Sequence, residues 1–228
     1  MKKLGFAALA ASLMLALPAT ASAQTTEAAS TRAGWANAAG QITNRTINAN
    51  TYTGRTSGQD YRGYISFPVA ASTVAYTSAV VRVDTAGVRN GPNDLTLYDV
   101  TSNIATATGS DLYSDFGSGT VLGSITGLNT NDATVDITLN AAGLAAVNAA
   151  RGGEISFGFV SSPTTADPDG VFGGSFASTT RRLILAPAAV VVTPTPVPTM
   201  TEWAMILFVM ILAGGAALFL QRRRMIGA

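Results

Sequence analysis

The sequence predicts an all-β ectodomain, an antiparallel jelly-roll-like sandwich with one short helix, set between an N-terminal signal peptide and a single C-terminal transmembrane helix. Three observations carry this. From Tyr61 to Pro187, short runs alternate apolar and polar residues with a period of two and are broken by Gly, Asn, Asp and Pro, the pattern of half-buried strands. Both ends of the chain carry uncharged apolar stretches flanked by basic residues. Between them, about 175 exported residues suffice for one domain with a sizeable core.

The N-terminus, MKKLGFAALAASLMLALPATASAQ, has a basic start at Lys2 and Lys3, an apolar run from Leu4 to Leu17 and a helix-breaking Pro18. Ala21, Ser22 and Ala23 then give the small-x-small pattern read by signal peptidase, with Gln24 as the first mature residue. Residues 1–23 are therefore expected to be a signal peptide, and signal peptidase a processing partner.

The segment Gln24 to Gly58 is rich in Thr, Ala, Asn and Gly and is read as a partly irregular entry with one or two edge strands, such as QITNRTI. The strands that follow are YRGYISFPV, AVVRVD, NDLTLYDV, GTVLGSITG, ATVDITLN, EISFGFV, GVFGGSFA and RRLILAP. Alternation places Ile65, Phe67 and Val69 on one face and Tyr64 and Ser66 on the other. Val81 and Val83 oppose Arg82 and Asp84 in the same way, and Leu95 and Leu97 point inward. Strands at this spacing favour two packed antiparallel sheets over residues 24–187. NAAGLAAVNAARGG interrupts them as a helix with Asn140 as N-cap and Gly152-Gly153 as stop, packing Leu144 and Val147 onto the sandwich.

Residues 188–196 lack both periodicities, and their alternating Pro favours a stiff, solvated polyproline spacer. Trp203–Leu220 then runs for 18 residues without a charge. As a helix it is about 27 Å long, close to the ~30 Å hydrocarbon core of a bilayer. Arg222, Arg223 and Arg224 follow, and such cationic flanks stay on the cytoplasmic side, leaving Trp203 at the opposite interface and the ectodomain outside.

Composition excludes several classes of function. The segment Gln24–Thr199 holds nine Arg and no Lys against twelve Asp and Glu, a formal −3, whereas the whole chain is +1 because its basic residues cluster at the ends. Nucleic-acid binding needs a basic footprint and is not expected. The absence of His and Cys removes Ser-His-Asp and Cys-His nucleophiles, zinc sites built on imidazole or thiolate, and disulfides.

The stretch VPTMTEWAMILF…FLQRRR resembles the IPTL-CTERM protein-sorting signal of Gram-negative bacteria: Ile-Pro-Thr-Leu, two residues, Trp-Gly, a hydrophobic span and an arginine cluster. The likeness falls on Val197, Pro198, Thr199, Met200 and Trp203, on Ala204 at the Gly position, and on Arg222 to Arg224; Val197, Met200 and Ala204 are conservative departures. On this reading residues 197–228 form the signal, with its motif at 197–204 and its span at 203–220. The resemblance implies recognition by an exosortase-type membrane transpeptidase that removes the span and passes the ectodomain onward. The middle of the chain, in stretches such as YRGYISFPV, LTLYDVTS and VDITLNAAGLAAVNAARGGEISFGF, is similar to the β-sandwich ectodomains that often precede PEP-CTERM-class signals, which implies a surface or extracellular setting and no enzymatic activity.

Within the ectodomain, Asp111 with Asp115 and Asp167 with Asp169 lie in acidic, glycine-rich loops that offer oxygen ligands for calcium. Neither fits an EF-hand, and turn chemistry accounts for both, so no cofactor is expected. A paired-carboxylate glycosidase needs neither His nor Cys, but Glu154 is the sole Glu of the sandwich strands and the Asp residues sit in turn-like contexts. Tyr52, Tyr61, Tyr64, Tyr98 and Tyr113 are candidates for an aromatic glycan platform, with Tyr61, Tyr64 and Tyr98 the chosen contacts; packing against the core is the competing role. Arg181 and Arg182 offer either a clamp for an anionic sugar or edge-strand solubility. Gly214-Gly215 fits close helix packing in a membrane. The expected function is that of a non-enzymatic protein of the cell surface or exopolysaccharide matrix, transiently anchored in the inner membrane. A carbohydrate-binding module and an uncleaved membrane-anchored structural protein are the alternatives.

Overall fold

The computed structural model describes residues 24–43, 45–131, 133–162, 164–174, 180–189 and 200–226. The predicted signal peptide, with Ala21 and Ala23, lies outside the described residues, as do Val197, Pro198 and Thr199; Gln24 is exposed. The chain divides into two units, Ser22–Ala189 and a second that holds the C-terminal segment from Val190.

The first unit is the expected antiparallel sandwich. Its strands are β1 (Thr26–Ala29), β2 (Arg32–Asn37), β3 (Thr51–Thr56), β4 (Gln59–Pro68), β5 (Tyr76–Thr85), β6 (Gly87–Arg89), β7 (Asn93–Asp99), β8 (Val121–Leu128), β9 (Ala133–Thr138), β10 (Glu154–Ser162), β11 (Asp169–Gly173) and β12 (Arg182–Pro187). Helices α1 (Gly109–Asp115) and α2 (Ala141–Ala149) interrupt them. A four-stranded sheet runs β1-β12-β5-β9, so the first and last strands of the unit are neighbours. The larger sheet runs β6-β11-β3-β4-β10-β7-β8, with β2 added on β4.

β4 organises the larger sheet. Gly63 pairs with both Trp35 and Phe159, so β2 and β10 lie on opposite edges of β4. Tyr61 pairs with both Asn37 and Gly54, which puts β3 on the β10 edge. β3 and β10 thus follow one another along a single edge, and the sheet curls where they part. The Ser161 amide donates to Thr53 Oγ1 at 2.9 Å and the Ser161 hydroxyl to the Thr53 carbonyl at 2.9 Å, tying β10 to β3 at that corner.

The main core lies between the sheets. Val81, Val83, Ile137, Leu183 and Leu185 of the small sheet meet Ile65, Phe67, Leu95, Leu97, Ile155 and Phe157 of the large one. Full burial of each such side chain contributes about 1.5–3 kcal/mol, which is why alternation alone located these strands. The Asn140 side chain caps α2 by accepting from the Gly143 amide at 2.9 Å, and Val147 is fully buried, as expected.

Three expectations change. The entry segment is partly irregular, as expected, but holds three strands, β1, β2 and β3, and QITNRTI is not one of them: its described residues carry only an isolated bridge at Ile42. The acidic stretch at Asp111 and Asp115 is not a loop but α1, whose N-cap Thr108 accepts from the Asp111 amide. α1 lies over the outer side of the large sheet, where Leu112 and Phe116 close a second small core on Ala36, Tyr64 and Ile104. Arg181 is not an exposed clamp. It is wholly buried, with Nε 2.9 Å from Asp84 Oδ1, and it donates to the carbonyls of Ala49 at 2.9 Å and Gly174 at 2.6 Å.

The second unit is described through helix α3 (Met200–Ile226). Within it, Glu202–Arg223 spans 22 residues with a mean hydropathy of 2.4, long and apolar enough to cross a bilayer. Trp203 and the residues from Met205 to Leu212 are exposed. A helix apolar all round suits lipid rather than water.

Candidate functional site

Two places are candidates for function: the C-terminal helix and an aromatic cleft in the sandwich. In the first, Met200, Trp203 and Ala204 lie on the first turn or so of α3, and Arg222 to Arg224 on its last. Trp203 is exposed at one end of the apolar stretch, and the Arg223 guanidinium lies 5.5 Å from the Phe219 ring at the other. An aromatic at one boundary and cations at the other match the two interfaces of a bilayer.

The cleft, of about 580 Å³, is lined by Trp35, Asn50, Tyr52, Thr56, Tyr61, Arg89, Pro168 and Phe172. Strand register brings its rings together. Tyr52 and Phe172 are a cross-strand pair of β3 and β11, with ring centroids 6.1 Å apart. Trp35 of β2 opposes Gly63, so its diagonal neighbour on β4 is Tyr61, whose ring it meets edge-on at 5.0 Å. Tyr61 in turn meets Tyr52 edge-on at 5.1 Å. Arg89 ends β6 opposite Gly170 of β11, and its carbonyl accepts from the Asn93 side-chain amide at 2.9 Å.

The charges around the cleft are mostly committed. Asp167 accepts from the amides of Ser57 and Gly58 at 2.8 and 2.5 Å, fixing the turn of the β3–β4 hairpin. Buried Asp169 accepts from the Thr165 amide at 2.7 Å. Asp60 lies 3.7 Å from Arg55. Arg89 is exposed and, among the described residues, forms no ion pair. The Tyr52 hydroxyl donates toward the carbonyls of Arg55 at 2.8 Å and Asp169 at 3.2 Å, and burial pushes its pKa up, so it stays a neutral donor.

Of the three chosen tyrosines, only Tyr61 reaches this cleft. Tyr64 is fully buried, its ring 5.0 Å from Phe116, and offers no exposed face; burial raises its pKa too. Tyr98 is half-buried on β7, opposite Gly158 of β10. Tyr113 instead lies under the Arg62 guanidinium at 4.3 Å. Trp35, Phe172, Asn50 and Arg89 were not anticipated. The alternation in RAGWAN was the available signal for Trp35, whereas the meeting of β6 with β11 has no local signature.

The carboxylates of the calcium candidates accept hydrogen bonds from protein donors. Asp115 accepts from the amides of Thr101 at 3.0 Å and Ser102 at 2.8 Å, and Asp111 from the Thr108 hydroxyl at 2.6 Å. Among the described residues no group of three or more acidic side chains gathers as a metal site. Glu154 pairs with Arg32 and accepts from the Thr31 hydroxyl at 2.9 Å.

The family model of the IPTL-CTERM motif matches residues 195–224. No curated protein matches the chain at a significant level. The matched segment covers the proline-flanked motif, the apolar stretch of α3 and the arginines, so the chain ends in an IPTL-CTERM sorting signal. Such a signal marks a secreted or surface protein with a membrane anchor, processed by a membrane-associated sorting enzyme.

Proposed function

We propose that this is a non-enzymatic protein of a Gram-negative cell surface or exopolysaccharide matrix. It is held briefly in the inner membrane and released by an exosortase-type transpeptidase. The observation that carries the reading is the match of residues 195–224 to the IPTL-CTERM motif on a helix long enough to span a bilayer.

The physical steps are separable. A signal peptide ending at Ala23 starts export, and the apolar helix halts it. Carrying Arg222 to Arg224 across the membrane costs about 2.5–3.5 kcal/mol per residue at its centre, which holds the C-terminus inside. The motif from Val197 to Ala204 is then left at the outer interface, within reach of a membrane enzyme. A stable anchor needs only the span and its cations; a coded sequence ahead of the span is explained by an enzyme that reads it.

Fractionation of a host that carries the sorting enzyme tests this. Wild-type chain is expected at the surface or in the medium, and a Pro198→Ala, Trp203→Ala double variant in the membrane pellet. Identical distribution of both chains contradicts the reading and favours an uncleaved structural anchor.

A further inference from the structure

We propose that the cleft of Trp35, Tyr52, Tyr61 and Phe172 is a binding site for a segment of acidic polysaccharide, a pyranose ring carrying a carboxylate. This rests on the cleft itself and stands whether or not the C-terminal signal is cleaved.

The lining has two chemistries that one ligand must satisfy together. The partly exposed rings of Trp35, Tyr61 and Phe172 form an apolar wall, whereas Asn50, Thr56 and Arg89 supply hydrogen-bonding groups on the same cleft. A lipid chain or an apolar peptide face leaves those polar groups unpaired, which costs affinity. A pyranose has an apolar C–H face for the rings and hydroxyls around its edge for the amide and hydroxyl donors.

The charge selects further. None of Asp167, Asp169 and Asp60 lines the cleft: Asp167 is held by backbone amides, Asp60 lies 3.7 Å from Arg55, and Asp169 accepts from the Thr165 amide while its Oδ1 is buried without a partner. Arg89 is the charged residue among the described lining residues and forms no ion pair among the described residues. A guanidinium takes a carboxylate in a two-point contact, so the ligand it completes is a uronic-acid unit rather than a neutral sugar. Strand pairing with Gly170 of β11 and the Asn93 contact to its carbonyl fix the Arg89 backbone beside the rings, so only its side chain remains to be ordered by a ligand.

The chain has two tryptophans, Trp35 and Trp203. A Trp203→Phe variant of the full chain, purified in detergent, therefore reports on the cleft through Trp35 emission alone. Titration with trigalacturonate is expected to give a saturable change, weakened about tenfold or more when Arg89→Ala or Tyr61→Ala is added. Tyr98→Ala, outside the cleft, should leave it unchanged. Arg89 is exposed, so that variant retains the wild-type melting transition and a loss of binding there is not a loss of fold. No saturable change up to about 10 mM, or one that both Arg89→Ala and Tyr61→Ala leave intact, overturns the proposal. Equal binding of cellotriose with no effect of Arg89→Ala overturns the acidic-sugar assignment, as does tighter binding of hexaglutamate than of trigalacturonate.

Discussion

Gly54 and Gly170 face each other across the β3–β11 pair, with φ of +126° and +127°. A Cβ on Gly54 would collide with the Asp169 carbonyl, and one on Gly170 with that of Thr53. The two glycines let the strands approach where Tyr52 and Phe172 meet two residues away. Gly54→Ala or Gly170→Ala is expected to destabilise the sandwich by more than about 2 kcal/mol. Gly58→Ala, at φ +73° with open space around it, should cost only about 1 kcal/mol, from conformation alone. Thermal melts of the three variants separate collision from conformational preference.

Arg181 and Asp84 join the chain just before β12 to the C-terminal end of β5 through a buried ion pair, and burial lowers the Arg181 pKa against the pull of Asp84. Removing one partner strands a charge, so Asp84→Ala should cost about 3–5 kcal/mol, on the order of 10 °C in Tm. Arg181→Lys should not restore stability, because one ammonium cannot replace three N–H groups aimed at Asp84, Ala49 and Gly174. A melt of Arg181→Lys at wild-type temperature would contradict this.

Arg82 and Asp136 are cross-strand partners of β5 and β9, with two contacts at 2.7 and 2.8 Å. The hydrogen bond from Arg82 holds the Asp136 carboxyl below its usual 3.8. A depressed folded-state pKa gives stability that is fully present above pH 3.8 and lost as pH falls through the folded value. The melting difference between wild type and Asp136→Asn should therefore be steady from pH 7 to about 5 and shrink below about 4. It should be small, because the pair is exposed, and smaller still in 1 M salt.

Asp167 and Asp115 serve as turn and loop acceptors, which gives a prediction about calcium. Adding millimolar calcium is expected to leave Tm unchanged, while Asp167→Ala lowers it in metal-free buffer by freeing the Ser57 and Gly58 amides. A rise of several degrees with calcium, abolished by Asp167→Ala, would point to a metal instead.

Strand chemistry was legible wherever apolar residues recur at every second position, even on β4, whose other face buries Tyr64 and Ser66 as well. YISFPV and AVVRVD announce β4 and β5 because Ile65, Phe67, Val81 and Val83 pay no polar penalty inside. β2 and β3 were harder to see, since RAGWAN and TYTGRT bury glycine and threonine as readily as apolar residues. Gly34 sits there because a Cβ would strike the Thr43 hydroxyl and the Tyr64 ring, the latter on a strand 30 residues away. α1 was hidden because a seven-residue helix reads locally as a turn; only Leu112 and Phe116, seated on Tyr64, reveal its purpose. The C-terminal signal was legible in full because its code is linear: spacing, span and charge. The cleft was not, since beyond the local β3–β4 hairpin its strands β2, β6 and β11 join through pairing between distant parts of the chain.

The central claim is that the C-terminal segment is an address that is read and removed. Intact-mass spectrometry of the protein recovered from the surface or medium of a host with the sorting enzyme tests it most directly. An N-terminus at Gln24 and a C-terminus between Pro198 and Trp203 are expected, with the apolar span gone. Recovery of chain ending only at Ala228, its span and arginines intact, would contradict it.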